Sequence, residues 1–248
     1  AGGGHAGIEA ALAISRMGYR ALIITLDPKS IGRMSCNPAI GGLAKGHIVK
    51  EIDALGGVMG RAADFSGIQF KTLNKSKGRA VWSPRAQVDK LKYTQFIQNK
   101  ISLDENIEVI AGEVVDFTVN NSNVSSAILK DHSAYPCASL IITAGTFLNG
   151  LIHIGERKFR AGRMGEKPAV GLTESLINNG FSVGRLKTGT PPRLLSSSVD
   201  WEKTLLAPGD ETPSPFSINS IGKFKPINEP CHIVNTNVNV HEYLKDNL

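Results

Sequence analysis

The opening residues Ala1-Gly2-Gly3-Gly4-His5-Ala6-Gly7 constrain the fold of this chain more than any other segment. Gly2, Gly4 and Gly7 fit G-x-G-x-x-G, in which the first glycine permits a tight turn, the second lets backbone approach a bound group, and the third lets a helix pack closely on a strand. The next residues suit that geometry. Ile8, Ala11, Leu12 and the small Ser15 recur at helical spacing until Gly18, and Ala21 to Thr25 is a short β-rich run. Turn, helix and strand in this order form the second half of a βαβ unit, whose first strand is expected just upstream of Ala1. A helix N-terminus leaves N–H groups unpaired and carries the positive end of the helix dipole, which suits a diphosphate. A glycine-rich turn with no ligand is the plainer alternative, and in either case His5 is expected to cap or line the turn rather than act as a base.

Composition excludes several classes. Across 248 residues, hydrophobic side chains make up 41% and glycines number 26, an ordinary globular balance that argues against intrinsic disorder. The apolar run from Leu140 to Leu148 is interrupted by Thr143, Gly145 and Thr146 and falls short of the ~18 residues a membrane span needs. Cys36, Cys137 and Cys231 lie far apart with no C-x-x-C pair, so the spacing supports no metal site and no disulfide framework, and a reducing compartment suits them. No basic-then-apolar leader is present, although the chain also lacks an initiator Met.

Hydrophobic patterning predicts an α/β chain. A helix is expected from Leu43 to Leu55 with Ile48, Val49, Ile52 and Leu55 inward, a strand from Gly67 to Leu73, and a helix from Arg85 to Ile101 with Val88, Leu91, Phe96 and Ile97 inward. Ile107 to Ala111, Val114 to Val119 and Val124 to Leu129 read as a meander with Asn120 to Asn123 as a turn. Cys137 to Thr143 suits a central parallel strand that delivers Gly145 at its carboxyl end, where ligands sit in such sheets. Ala169 to Asn178 is expected to be a short helix, Phe181 to Leu186 a strand, and Pro208 to Pro230 a loop. The organisation expected is a dinucleotide-binding domain over 1–150 and an inserted substrate-facing segment over 151–248.

Net charge is +6, and it is concentrated. Lys71 to Lys92 holds seven Lys or Arg against Asp89 alone, and Arg157 to Arg193 holds eight against Glu166 and Glu174, a distribution that suits a polyanionic partner. Lys77, Arg79 and Arg85 flank Trp82, supplying phosphate contacts and a stacking surface; a solvated basic loop fits the charge equally well. Arg185, Lys187 and Arg193 lie in Gly184-Arg185-Leu186-Lys187-Thr188-Gly189-Thr190-Pro191-Pro192-Arg193, a proline-stiffened loop that either preorganises anion contacts or is a surface turn. Lys45 and Lys50 have the length to reach phosphates, though solvated helix lysines are commoner. Thr25 and Asp27 stand where a ribose-binding acid is expected, Asp27 before Pro28 being equally suited to a turn. Cys36 precedes an expected helix start that would stabilise a thiolate, a buried structural thiol being the alternative. Cys231 and His232, adjacent on an extended segment, point to opposite faces and so do not form a dyad.

Taken together, GGGHAG, SCNPAIGG, KEIDALGG, GIQFKTLN, PRAQVDK, IHIG and GRLKTGTPPR resemble the MnmG (GidA) family of flavoproteins that modify the wobble uridine of tRNA, over Gly2 to about Asn237. The resemblance implies an FAD-binding Rossmann-like domain of the glutathione-reductase type with an inserted α/β segment, truncated at both ends relative to the family. It implies FAD held by Gly2, Gly3, Gly4, His5, Ala6 and Gly7, with Val114 on the adenine-contacting strand and Gly145 beside the cofactor. It implies Cys36 and Cys231 as the catalytic cysteines, and tRNA contacts by Lys77, Arg79, Arg85, Arg185, Lys187 and Arg193. The implied activity, with the GTPase MnmE, adds an aminomethyl or carboxymethylaminomethyl group to carbon five of the uridine from methylene-tetrahydrofolate and ammonium or glycine, with NADH as reductant. It further implies a homodimer in the complete protein and a cytoplasmic setting, or a mitochondrial matrix in a eukaryote. In isolation this chain is expected to hold FAD weakly and to lack full activity. A small-molecule FAD or NAD oxidoreductase and a noncatalytic RNA-binding fragment stand as alternatives.

Overall fold

The computed structural model describes residues 1–34 and 37–246. In the first part of the chain, α1 (His5–Arg16) leads to β1 (Ala21–Thr25), then β2 (Ala39–Gly41), α2 (Lys45–Ala54), α3 (Met59–Ser66), β3 (Gly67–Leu73), β4 (Ser83–Val88) and α4 (Lys90–Ser102). There follow β5 (Ile107–Ala111), β6 (Val114–Asn120), β7 (Asn123–Leu129), β8 (Ala134–Pro136), the β9 (Leu151–Ile154) and β10 (Arg157–Arg160) hairpin, and α5 (Leu172–Asn178). β11 (Leu205–Ala207), β12 (Cys231–Ile233) and α6 (Val238–Lys245) complete the described elements.

β1 and β5 pair in parallel, with Ala21 opposite Ile107 and Thr25 opposite Ala111. α1 buries Ile8, Ala11 and Leu12 in a core shared with Ile23 of β1, Val49 of α2, and Tyr93, Ile97 and Ile101 of α4. Ala1 and Gly2 extend this pair sideways. Gly2 N donates to Ile24 O at 2.8 Å, Ala1 N to Ile141 O at 2.7 Å, and Thr143 N to Ala1 O at 2.8 Å, so the run through Thr143 lies alongside the glycine loop. The expected strand over Cys137 to Thr143 is thus extended chain joined to the rest by this bridge, without a ladder of its own.

A second sheet has the antiparallel order β2-β4-β3, and a third is the meander β6-β7-β8. The expected three-strand meander is therefore shifted by one strand, because β5 pairs with β1 instead. The expected Arg85 to Ile101 helix divides in two. Val88 is buried in β4, and Asp89 Oδ1 accepts from Leu91 N at 2.9 Å and Lys92 N at 3.1 Å, an N-cap that starts α4 at Lys90. Leu91 is consequently 74% exposed. In α2 the inward residues are Gly46, Val49 and Asp53, while Ile48 and Leu55 face outward. A Cβ at Gly46 would stand 2.7 Å from Pro84 O, so the small side of the helix makes the close approach to β4 and turns the larger side chains out. Phe181 to Leu186 is exposed and unpaired with any sheet rather than a strand.

The later segment is fastened to the earlier one by polar clasps. Asp64 of α3 accepts from Phe216 N at 2.7 Å and Ser217 N at 2.9 Å, Asp53 Oδ2 accepts from Ile218 N at 3.0 Å, and the Phe216 side chain is sealed in the main core. Lys50 Nζ donates to Pro215 O at 2.8 Å and Lys45 Nζ to Ala39 O at the start of β2 at 3.0 Å, so both lysines are engaged with backbone in this structure. Burial also pushes both amines below the ordinary lysine range.

Candidate functional site

A cleft of about 730 Å³ opens where the glycine loop meets the carboxyl ends of β1 and β5. Gly2, Gly3, Gly4, His5 and Ala6 form one wall, Thr25 and Asp27 follow β1, Val114 comes from the start of β6, and Thr143 to Leu148 face them. Gly4 is the N-cap of α1, and no side chain caps the helix there. Its first-turn amides therefore meet the cleft rather than a protein acceptor. Gly2 adopts φ +113°, a region that L side chains rarely occupy. A Cβ on Gly7 would overlap Gly2 O, whereas one on Gly4 would meet nothing within 4 Å. The three glycines thus divide as the pattern requires: turn, open approach and close packing. Thr143 Oγ1 donates to Ala1 O and Gly2 O, both at 3.1 Å, and fixes the loop from the opposite wall.

Side chains of both signs border the cleft, Asp27, Glu113 and Glu166 against Arg33, Arg163 and Lys167. His5 has Tyr93 Oη 3.4 Å from its Nδ1 and an edge-to-face contact with that ring. Desolvation, with Lys45 and Arg163 nearby, lowers its pKa to about 4, so the imidazole is neutral at neutral pH. Arg33 and Arg163 share the carboxylate of Glu166, at 2.8 and 3.2 Å, and all three line the cleft. Arg163 also lies over the Phe147 ring, 5.2 Å from its centroid. Asp27 Oδ1 accepts from Lys29 N at 2.9 Å, which makes it the turn residue its position before Pro28 suggests, while its residue still borders the cleft. Sequence reasoning passed over Arg33, Arg163 and Glu166; the signal for two of them was the opposite charges at i and i+3 in a glycine-rich loop.

The other candidates fall elsewhere. Cys36 lies outside the described residues. The chain after it passes through β2 and turns at Gly41 and Gly42, with φ +87° and +94°, before α2 begins at Lys45, two residues from the expected helix start. Cys231 sits in β12, where its Sγ donates to Gln69 Oε1 at 3.2 Å, and Gln69 Nε2 in turn donates to Ala207 O and Glu229 O. His232 faces the other way, with Nδ1 2.7 Å from Thr204 Oγ1 and its ring against Trp201, as the alternation of an extended segment requires.

Lys77 and Arg79 are exposed in the connection between β3 and β4, and the Arg79 guanidinium lies 5.7 Å from the Trp82 ring centroid. Lys71 and Lys75 from the same basic segment are engaged, with Pro208 O and Asp210. Arg85 is half-buried in β4 with its Nε enclosed. Arg185 donates through both terminal nitrogens to Asn149 O, and Lys187 and Arg193 continue along an exposed, extended loop. Gly145, with φ +58°, and Val114 border the cleft opposite the glycine loop.

A glycine turn that opens a helix at the carboxyl end of parallel strands, with the helix's free amides lining a cleft, defines a protein of the Rossmann-type α/β class. Its relatives specify the family. The model of the family described as "Glucose inhibited division protein A" matches residues 1–248, and the chain belongs to this GidA, or MnmG, family. Among curated relatives, the tRNA uridine 5-carboxymethylaminomethyl modification enzyme MnmG of Thermodesulfovibrio yellowstonii is 48% identical over 250 residues, and that of Protochlamydia amoebophila is 44% identical over 247. Each alignment covers 100% of this chain and 39% of the relative, so the chain spans about two-fifths of their length. A solved structure of Aquifex aeolicus GidA superposes with TM-score 0.92 at 45% identity, over 100% of this chain and 42% of that one. The GidA-related protein from Thermus thermophilus, at 15% identity and TM-score 0.52, shares the fold. Among the described residues, no helix is long and apolar enough to cross a membrane.

Proposed function

We propose that this chain is the cofactor-holding part of an FAD-dependent enzyme that modifies the wobble uridine of tRNA. The observation that carries the reading is the uncapped start of α1 facing a cleft large enough for part of a dinucleotide, in a chain whose relatives are named for tRNA uridine modification. The residues present fit the group: Gly4 leaves open space where a phosphate would approach the amides of His5 and Ala6, and Gly2, Gly3 and Gly7 shape the turn. Val114 and Gly145 would border the bound molecule from the other wall. FAD would supply the redox chemistry, with NADH as its reductant.

In this reading the chain's own residues divide the work. Arg33 and Arg163, oriented by the Glu166 carboxylate they share, would offer their remaining guanidinium donors to the diphosphate. Cys36 and Cys231 are the candidate nucleophiles: one thiolate would add to carbon six of the pyrimidine ring, making carbon five nucleophilic toward the one-carbon donor, and would leave again as carbon five loses its proton. Lys77, Arg79, Arg85, Arg185, Lys187 and Arg193 are the candidate tRNA contacts. Residues 1–150 would supply the glycine-loop wall of the cofactor cleft, but the expected division at 150 is not clean, because Arg163 and Glu166 of 151–248 complete the cleft and Lys77, Arg79 and Arg85 of 1–150 are among the candidate tRNA contacts. The proposal includes methylene-tetrahydrofolate and ammonium or glycine as donors, the GTPase MnmE as partner, a homodimeric whole protein and a cytoplasmic setting.

Mass spectrometry of tRNA nucleosides from cells lacking the gene tests this reading. The modified wobble uridine should disappear, return with the wild-type gene, and fail to return with Cys36→Ser. Unaltered nucleosides in the deletion strain would overturn the function, and full restoration by Cys36→Ser would remove that thiol from the chemistry.

A further inference from the structure

We propose that the β9–β10 hairpin, together with Arg185, forms an RNA-backbone contact surface in which Arg160 and Arg185 seat a phosphate between them. This rests on the tRNA reading above and adds a surface to it. The ribbon is antiparallel, with Ile154 opposite Arg157, Lys158 opposite His153 and Arg160 opposite Leu151, and Gly155 at φ +54° allows its two-residue turn. Cross-strand partners share a face and successive residues alternate, so Lys158, His153 and Arg160 lie on one face while Arg157 and Phe159 lie on the other. All five side chains are exposed. Among the described residues no carboxylate lies within ion-pair distance of Arg157, Lys158 or Arg160.

A second observation joins the ribbon to the stiff basic loop 25 residues further along the chain. Arg160 and Arg185 line the same concavity of about 330 Å³, with Asn149, Leu151, Val170 and Glu174. Arg185 is fixed there by two hydrogen bonds to Asn149 O, at 3.1 and 3.2 Å, so its guanidinium is oriented before any ligand arrives. The opposing charges are Glu156, exposed in the turn at the far end of the ribbon, and Glu174, whose oxygens accept from Asn149 Nδ2 at 2.9 Å and Gly171 N at 3.1 Å. Those hydrogen bonds hold its pKa below the usual carboxylate value, and they bind the carboxylate to α5 and its cap. Two guanidiniums in a concavity, continued on the same face of the ribbon by Lys158, fit a phosphate backbone. An acidic protein surface is the competing occupant that the test separates.

The test compares the whole protein with a Lys158→Gln, Arg160→Gln variant, reading tRNA affinity from 50 to 200 mM salt. Two lost phosphate contacts should flatten the slope of log K against log salt by about 1.4, because each contact contributes ~0.7 on single strands, and affinity at low salt should fall roughly tenfold. Lysine acetylation with and without saturating tRNA supplies a second reading that does not depend on the variant's folding: Lys158 should be protected. A wild-type protein that binds tRNA, with an unchanged slope in the variant and an unprotected Lys158, overturns the hairpin surface and leaves the broader reading standing. A wild-type protein that does not bind tRNA overturns both.

Discussion

Replacing either Gly4 or Gly7 by Ala adds one methyl group to the same short loop, and the structure gives the two changes opposite outcomes. A Cβ on Gly7 overlaps Gly2 O and falls 2.8 Å from Thr143 Oγ1, where ordinary contact begins at 3.4 Å. Both neighbours are fixed, since Gly2 is bonded to β1 and Thr143 is hydrogen-bonded to Ala1 and Gly2. Gly7→Ala must therefore push α1 away from the end of β1, at a cost of about 2–3 kcal/mol typical of overpacking. For a domain of this size that corresponds to a fall in Tm of roughly 4–12 °C. Gly4→Ala meets nothing within 4 Å, and its φ of −80° suits alanine, so its stability should stay within about 1 kcal/mol of wild type, the N-cap preference being the main term. Gly4 borders the cleft beside the uncapped amides, however, so the added methyl would crowd a phosphate held there. Displacing a phosphate from one charge-assisted hydrogen bond removes about 1.5–3 kcal/mol, which is tenfold or more in affinity for FAD. Thermal melts paired with flavin-fluorescence titrations measure both quantities. Gly4→Ala that keeps wild-type stability and wild-type FAD affinity would refute the assignment of the diphosphate to this loop.

His5 should make the protein acid-sensitive. Its pKa of about 4 in the folded chain lies below the 6.5 of a free imidazole, so between these values the unfolded state binds the extra proton and stability falls as pH drops through that window. The loss should reach roughly 2 kcal/mol by pH 4, allowing for the ring's partial exposure to the cleft, and His5→Gln should flatten it in urea titrations from pH 4 to 7. Parallel pH curves for the two proteins would contradict the reading. Asp64→Ala removes the acceptor of two backbone amides next to the buried Phe216 and should cost about 2–3 kcal/mol, with faster hydrogen exchange at Phe216 and Ser217. Unchanged exchange there would show that the clasp holds little.

The sequence made the glycine-loop wall of the cleft readable because such a loop is local: turn, helix and strand adjoin along the chain, and Gly2 and Gly7 each have a steric reason. β1, β3, β5 and the β6–β7 turn were legible for a similar reason, from short-range alternation and an Asn-rich break. The helix expected from Arg85 failed because Val88 satisfies a helical apolar spacing while its burial comes from pairing with β2 and β3, and the break at Asp89 is a single N-cap. The inward face of α2 was misread because packing there depends on Gly46 clearing a carbonyl of β4, which is close in space and distant in sequence. Arg33, Arg163 and Glu166 escaped notice for the same reason: Arg33 and Glu166 are 133 residues apart, and only the folded chain brings them to one cleft.

The most direct test of the central claim is a nitrogen-15 NMR titration of the protein with FAD, following the backbone amides that line the cleft. Saturable shifts at Gly4, His5 and Ala6, with matching changes at Thr143 to Thr146 on the facing wall, are the expected result. FAD binding that leaves these resonances in place while others move would contradict it.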